Sequence, residues 1–435
     1  MWARDSSVVL ASQFSALAVT SLLTILVARE LGPSGFGVLA GLLGLAQLLT
    51  VLVDAGISTY LLRELSAAFA DDGTAGRFRA SELLSSALST TTAAAALMIL
   101  GSALVSVAAF LHDLRLAFVL SSLVGYTTIL ACADGLEVAY RAQRRLRLLS
   151  TAIFLEKGTL ATLVGAAVWT HAGLSAIAAA YLVAGCVRLS FDLARVRDMG
   201  LLRWQAPTRR GVFGVLRASL PFGLSSTTPT AIVRLDTTLV ALLSTAAAGS
   251  YAVGDRVLTT LLVLSSTAAA TLYPLLARHR DSATIRRAAA LMFVIGVILA
   301  APAIILAPWA IPGLFGGGFR DAVEPVQLML LATPMIYASS VLMTGLFSLG
   351  RERLVLTLML TCTLSGTLLV VLGQLLVGVN GAASGYTLRF VGMLAALLIA
   401  SSLTERASPG ETSDPETRQH AGDAMKRRAA RSRLT

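Results

Sequence analysis

Apolar residues in this chain arrive in long unbroken runs, interrupted at intervals by short clusters of Gly, Pro, Arg, Asp and Ser. A helix needs about 20 residues to cross the ~30 Å hydrocarbon core of a bilayer. Runs of that length lie near residues 7–28, 37–59, 83–111, 116–138, 150–171, 173–194, 213–243, 251–277, 287–313, 323–349, 354–377 and 380–403. A membrane-spanning barrel strand would instead alternate apolar and polar positions over about 10 residues. The pattern therefore predicts an all-α integral membrane protein with twelve transmembrane helices. Gly32-Pro33 predicts a sharp stop after the first helix, because proline restricts its predecessor and supplies no N–H. Gly35 and Gly37 follow at once, so the first two spans read as an antiparallel hairpin.

Composition agrees. Of 435 residues, 56% are apolar and only 14% are charged, with a mean hydropathy of +0.77. A soluble domain carries about 25% charged residues, so a water-soluble enzyme and a disordered chain are both excluded. The net charge of +11 raises the question of nucleic acid, and the distribution of the charge answers it. With the amino terminus inside, 26 of the 35 basic residues fall in inside segments and three, Arg29, Arg115 and Arg320, fall outside. That bias is the orientation signal of a membrane protein. Both termini are placed in the cytosol, and nucleic acid is not expected as a partner. Cys132, Cys186 and Cys362 lie in apolar runs without metal-ligand spacing, so no disulfide, metal or other cofactor is expected.

The largest inside loop, around Arg195–Arg210, divides the spans six and six. This gives domains at 1–206 and 207–404, each a six-helix bundle, and a basic cytosolic tail at 405–435 without apolar periodicity, read as disordered. Leu26-Val27-Ala28 and Leu239-Val240-Ala241 each precede a short outside loop and a long helix ending in arginine. Both halves start inside, so they are parallel repeats, an arrangement of alternating-access transporters.

Ala28 to Gly37, reading Ala-Arg-Glu-Leu-Gly-Pro-Ser-Gly-Phe-Gly, resembles the polysaccharide-unit flippases. These form the polysaccharide biosynthesis branch of the multidrug, oligosaccharidyl-lipid and polysaccharide exporter superfamily. Further pieces resemble that branch in the same order: Asp54-Ala55-Gly56 with Arg63-Glu64, Leu220-Pro221-Phe222-Gly223, Arg234-Leu235-Asp236, Tyr273-Pro274, and Leu314 to Phe319. The resemblance covers about residues 5–400. It implies a flippase in the cytoplasmic membrane, not an enzyme, moving a polyprenyl-pyrophosphate-linked oligosaccharide unit from inner to outer leaflet. The implied partners are that lipid-linked oligosaccharide, membrane lipids, a coupling ion (H+ or Na+), and a polysaccharide polymerase with its export machinery. Two other readings stand beside it. One is an ion-coupled multidrug antiporter of the same superfamily. The other is a membrane polysaccharide polymerase, which should show a large outer loop with paired carboxylates or a catalytic histidine; the outer loops here are short.

An ionisable group in hydrocarbon is costly and by default faces a bundle interior or an aqueous path. Arg188, Arg217, Asp134, Glu137, Asp192 and Glu324 lie near span ends, within reach of water, as do Asp54, Asp255 and Arg256. Glu156 and Lys157 are adjacent, hence not face to face, and are expected to pair with other helices. Arg234, Asp236 and Arg389 remain as the deep set. Arg234 and Asp236 point about 200° apart on a helix and do not meet. One of them therefore faces the cavity and the other a neighbouring helix. If the substrate is the pyrophosphate the resemblance implies, a guanidinium suits it, since it grips phosphate oxygens bidentately. The candidate substrate-binding residues are then Arg234 first, with Arg389 and Asp236, and Gln13, Gln47 and Asn380 as sugar-binding candidates.

Overall fold

The computed structural model describes residues 2–70, 74–109, 113–201, 209–226, 228–279 and 282–407. The tail beyond Ala407, and the expectation of disorder placed on it, lie outside them, as does the 206/207 boundary.

Among the described residues every regular element is helical. The first is α1 (Trp2–Asp54), broken at Gly32, whose φ of 66° and ψ of 178° are non-helical. A positive φ is open to glycine at little cost, and Pro33 then opens the second segment at a position where its missing N–H is not needed. The turn the sequence called for is therefore made by two residues. There follow α2 (Ile57–Ala70), α3 (Thr74–Ala109), α4 (Leu114–Ala142), α5 (Leu146–Trp169) and α6 (Gly173–Asp198). The second half holds α7 (Arg209–Ser226), α8 (Thr228–Leu243), α9 (Thr245–His279), α10 (Ser282–Phe315), α11 (Val323–Leu330), α12 (Thr333–Ser348), α13 (Glu352–Val377) and α14 (Val379–Ala407), with a 3-10 turn at Gly317–Ala322. Among the described residues, helix thus occupies each of the twelve apolar segments. Nine of the described runs are long and apolar enough to cross a membrane, and the first, Phe14–Asp54, contains the Gly32 break.

The tenth segment departs from a single span. It is split into α11 and α12 at Leu331–Ala332, because Pro334 stands in the first turn of α12. A proline there costs the first turn nothing, but the same ring would deny a continuous helix one hydrogen bond.

The turns alternate between two ends of the molecule. Gly32, Asp113, Thr170, Ser244 and Gly378 mark one, called here the Gly32 end. The other carries Arg141, Arg144, Arg145, Arg195, Arg197, Arg351 and Arg353 and is called the arginine-rich end. The largest apolar core joins Val27, Phe36, Leu39, Val124 and Ile177 of the first half to Tyr251, Phe319, Val326 and Met329 of the second. Smaller cores lie around Leu61, Leu84 and Tyr140, reaching Val215 of α7, and, within the second half, around Val341, Leu346 and Leu397.

At the Gly32 end the two halves meet backbone to backbone. A Cβ on Gly37 would sit 1.7 Å from the Thr245 carbonyl oxygen, one on Gly41 2.3 Å from the Ala241 Cβ, and one on Gly249 2.0 Å from the Pro33 carbonyl oxygen. Only hydrogen at those positions permits the approach. Thr238 Oγ1 donates to the Gly41 carbonyl at 3.3 Å. Arg29 reaches across to the carbonyls of Leu314, at 2.6 Å from Nε, and Gly313. These are terminal carbonyls of α10, which have no partner within their own helix and favour a cation. That end is closed.

Candidate functional site

Toward the arginine-rich end, where Gly56 and Gly223 bring the halves together again, with a Cβ on Gly56 falling 2.1 Å from the Gly223 nitrogen, the first half encloses a cavity of about 720 Å³. Its wall is built from four stretches of the first half. The second segment of α1 and the start of α2 give Gln47, Thr50, Asp54 and Ser58. Helix α4 gives Tyr126, Asp134, Glu137 and Arg141, α5 gives Lys157, and α6 gives Arg188. From the second half, Arg234 enters.

Among the wall acids, Asp54 has a structural task. Its carboxylate accepts from the N–H groups of Gly56 and Ser58, both at 3.2 Å, and from the Ser58 hydroxyl at 2.6 Å. This caps α2 after the break at Ala55-Gly56, as a helix amino terminus requires.

Arg188 is the hub of the first half. Its Nη1 meets Glu156 at 2.6 Å; its Nη2 meets Glu137 at 2.6 Å and Asp134 at 3.1 Å; its Nε meets Asp192 at 3.5 Å. Outer partners extend the set. Lys157 Nζ lies 2.7 Å from Glu156 and Arg141 Nη2 lies 2.5 Å from Glu137. The Tyr126 hydroxyl donates to Glu156 at 3.0 Å and that of Tyr140 to Asp192 at 3.1 Å. The sequence reading is corrected here twice. Arg188, Glu137 and Asp192 are not at water-accessible span ends but buried, at 6%, 5% and 0% exposure. Lys157 does reach its neighbour Glu156, because its long stem bends back around the helix. The spacing of Arg188 and Asp192, four apart on one helix face, was the available signal.

Arg234 lines the cavity, its side chain 37% exposed, and pairs with Asp255 of α9 at 3.1 Å. Asp236, two residues on, points away. It takes both guanidinium nitrogens of Arg389, at 2.7 and 2.9 Å, with a hydrogen bond from Thr367 at 2.8 Å. Each member of this pair is 1% exposed. Asp236 and Arg389 are thus assigned to each other, not to a ligand in the cavity. Gln47 is in the cavity wall. Asn380 is at the Gly32 end, donating to Glu324 at 2.7 Å. The side chain of Gln13 lies outside the described residues.

Arg256, expected near a span end within reach of water, is instead shielded. It follows Asp255 on α9 and interacts electrostatically with Asp255, Arg234 and Tyr181 of α6. Its Nε and Nη2 donors meet no acceptor among the described residues and are shut off from solvent. Arg234 and Arg256 stand 10 and 12 residues from Ser244, or about 15 and about 18 Å at 1.5 Å per residue. Arg234 is thus at half the depth of a ~30 Å hydrocarbon core, with Arg256 close to it.

Residues 2–280 match the family model described as polysaccharide biosynthesis protein. No curated protein sequence matches the chain. Among solved structures, an inward-facing multidrug resistance MATE family transporter of the MOP superfamily is similar with a TM-score of 0.72 at 14% identity, over 90% of this chain and 96% of that one. The lipid II flippase MurJ in an inward closed conformation is similar with a TM-score of 0.67 at 13% identity, over 91% of this chain and 87% of that one. At such identities the likeness is one of fold.

Proposed function

The chain belongs to the polysaccharide biosynthesis protein family, and from that premise we propose that it is a flippase. It carries a polyprenyl-pyrophosphate-linked oligosaccharide unit from the inner to the outer leaflet of the cytoplasmic membrane. Residues 1–206 and 207–404 are the two bundles, and the arginine-rich end faces the cytosol. The observation that carries the reading is the cavity itself: a chamber at the arginine-rich end whose apolar wall is set with charged and hydroxyl side chains, shut at the Gly32 end, with Arg234 at mid-depth. A headgroup entering from the inner leaflet would meet water and charge where a bilayer offers hydrocarbon. Sugar hydroxyls suit the Gln47, Thr50, Ser58 and Tyr126 wall.

In this reading the pyrophosphate goes to Arg234, whose guanidinium can grip phosphate oxygens bidentately. Asp255, paired with Arg234, holds it in place until the phosphate competes for it. Passage to the other leaflet then requires the glycine-backed contacts of Gly37, Gly41 and Gly249 to part while the arginine-rich end closes.

The test measures export against membrane abundance. Arg234→Ala is expected to abolish surface polysaccharide, with lipid-linked units accumulating on the cytosolic leaflet and protein levels unchanged. Arg234→Lys should keep part of the export, since charge survives and the fork does not. Full export by Arg234→Ala would remove the arginine from the pathway. A second reading, a multidrug antiporter, draws on the Asp134 carboxylate, 57% exposed beside the cavity. It predicts drug sensitivity in Asp134→Asn with surface polysaccharide intact.

A further inference from the structure

Helices α13 and α14 form an antiparallel pair whose seam changes character along its length. In such a pair, facing positions step in opposite directions. Near the Gly32 end Gly373 faces Gly381, and a Cβ on either would lie 2.1 Å from the other's carbonyl oxygen. Next, Gly385 faces Leu369, with 2.5 Å from a Cβ to that carbonyl oxygen, and then Gly366 faces the Arg389 side chain. Backbones touch at the first contacts, and a bulky side chain already intervenes at the last. Continued in the same steps, the seam sets Leu358 opposite Ala396, Leu354 opposite Ala400 and Arg351 opposite Leu403. Those six residues line a groove of about 490 Å³. Beyond the glycine-closed apex the seam thus opens into a wedge with Leu354 and Leu358 on the α13 wall and Ala396, Ile399, Ala400 and Leu403 on the α14 wall.

The wedge is apolar along its depth and charged at its mouth. From Arg351 to Leu358 is about 10 Å at 1.5 Å per residue, inside the ~15 Å hydrocarbon depth of a single leaflet. Arg351, which lines the groove at its mouth, precedes the first turn of α13 and is exposed, so the mouth is cationic. A cationic rim above a leaflet-deep apolar slot matches the charge and shape of a phospholipid.

We propose that this groove binds one acyl chain of an anionic glycerophospholipid from the leaflet at the arginine-rich end, with its phosphate on Arg351. The bound chain fills the gap between α13 and α14 where the glycine packing gives out. The inference does not rest on the flippase reading, and its test uses no substrate.

Full-length protein in detergent is titrated with phosphatidylglycerol and with phosphatidylcholine of identical acyl chains, and bound lipid is counted by native mass spectrometry. Tighter retention of phosphatidylglycerol is expected, and Arg351→Gln should weaken it by roughly tenfold, the scale of a lost charge-assisted contact. Ala396→Leu, which fills the groove, should lower retention of both lipids. Leu403→Trp carries the same expectation from an exposed position where enlargement does not disturb the core. Equal retention of the two lipids by the wild type would defeat the headgroup assignment. Undiminished phosphatidylglycerol retention by a folded Leu403→Trp protein would defeat the groove.

Discussion

Each half of the molecule buries an arginine on its last long helix, and the two are treated differently. Arg188 of α6 meets four carboxylates, with Lys157 and Arg141 added at the edge. Arg389 of α14 meets one, Asp236. In both, the preceding long helix supplies a partner: Glu156 on α5 and Thr367 on α13. What differs is access to the cavity. Asp134, Glu137, Lys157, Arg141 and Arg188 belong to its wall, whereas Asp236 and Arg389 are sealed among Thr367, Tyr251 and Tyr386. In low dielectric an uncompensated charge costs several kcal/mol, so a sealed site must be neutral. Beside a polar cavity, water can screen a surplus carboxylate. Stoichiometry follows solvent access.

The largest effect that can break this comparison is at the sealed pair. Asp236→Asn leaves Arg389 buried and uncompensated, at a cost of about 3–5 kcal/mol. Membrane abundance and the melting temperature of the purified protein should both fall. Replacing the two together, Asp236→Leu with Arg389→Met, should recover most of the loss. A variant Asp236→Asn that melts like the wild type would show that the pair is not sealed.

A smaller effect is expected at Gly366. An added Cβ would lie 2.1 Å from Arg389 Nε, forcing the guanidinium out of its fork on Asp236. Gly366→Ala should cost about 1–3 kcal/mol, the usual range for overpacking. A double-mutant cycle should show coupling to Arg389. Additive losses would mean that Gly366 serves only helix approach.

The smallest effect belongs to the first half. Asp134 is 57% exposed, and Arg188 keeps three other carboxylates without it. Asp134→Asn should therefore change stability by less than about 1 kcal/mol, in the range of exposed ion pairs. A melting loss as deep as that of Asp236→Asn would erase the distinction between the two arginines.

Much of the architecture was legible without coordinates. Runs of 20 apolar residues leave the backbone no choice but helix in a bilayer, where every peptide group must find its partner within the segment. Gly32-Pro33 dictates a turn by local sterics, and Arg234 and Asp236 diverge by helical geometry alone. The depth of Arg234 follows from counting residues. The partners of the charged groups do not follow. Asp192, four residues on along the same helix, was legible, but whether Arg188 faces Asp134, Glu137 and Glu156 depends on how three helices are rotated about their axes, and long apolar runs with little periodicity leave rotation open. Likewise Asp236 and Arg389, 153 positions apart, are joined only because α8, α13 and α14 pack together. Sequence decides what must be buried and at what depth, because those are properties of one helix in hydrocarbon. Which charge neutralises which is decided by packing, because a salt bridge between helices is a property of two.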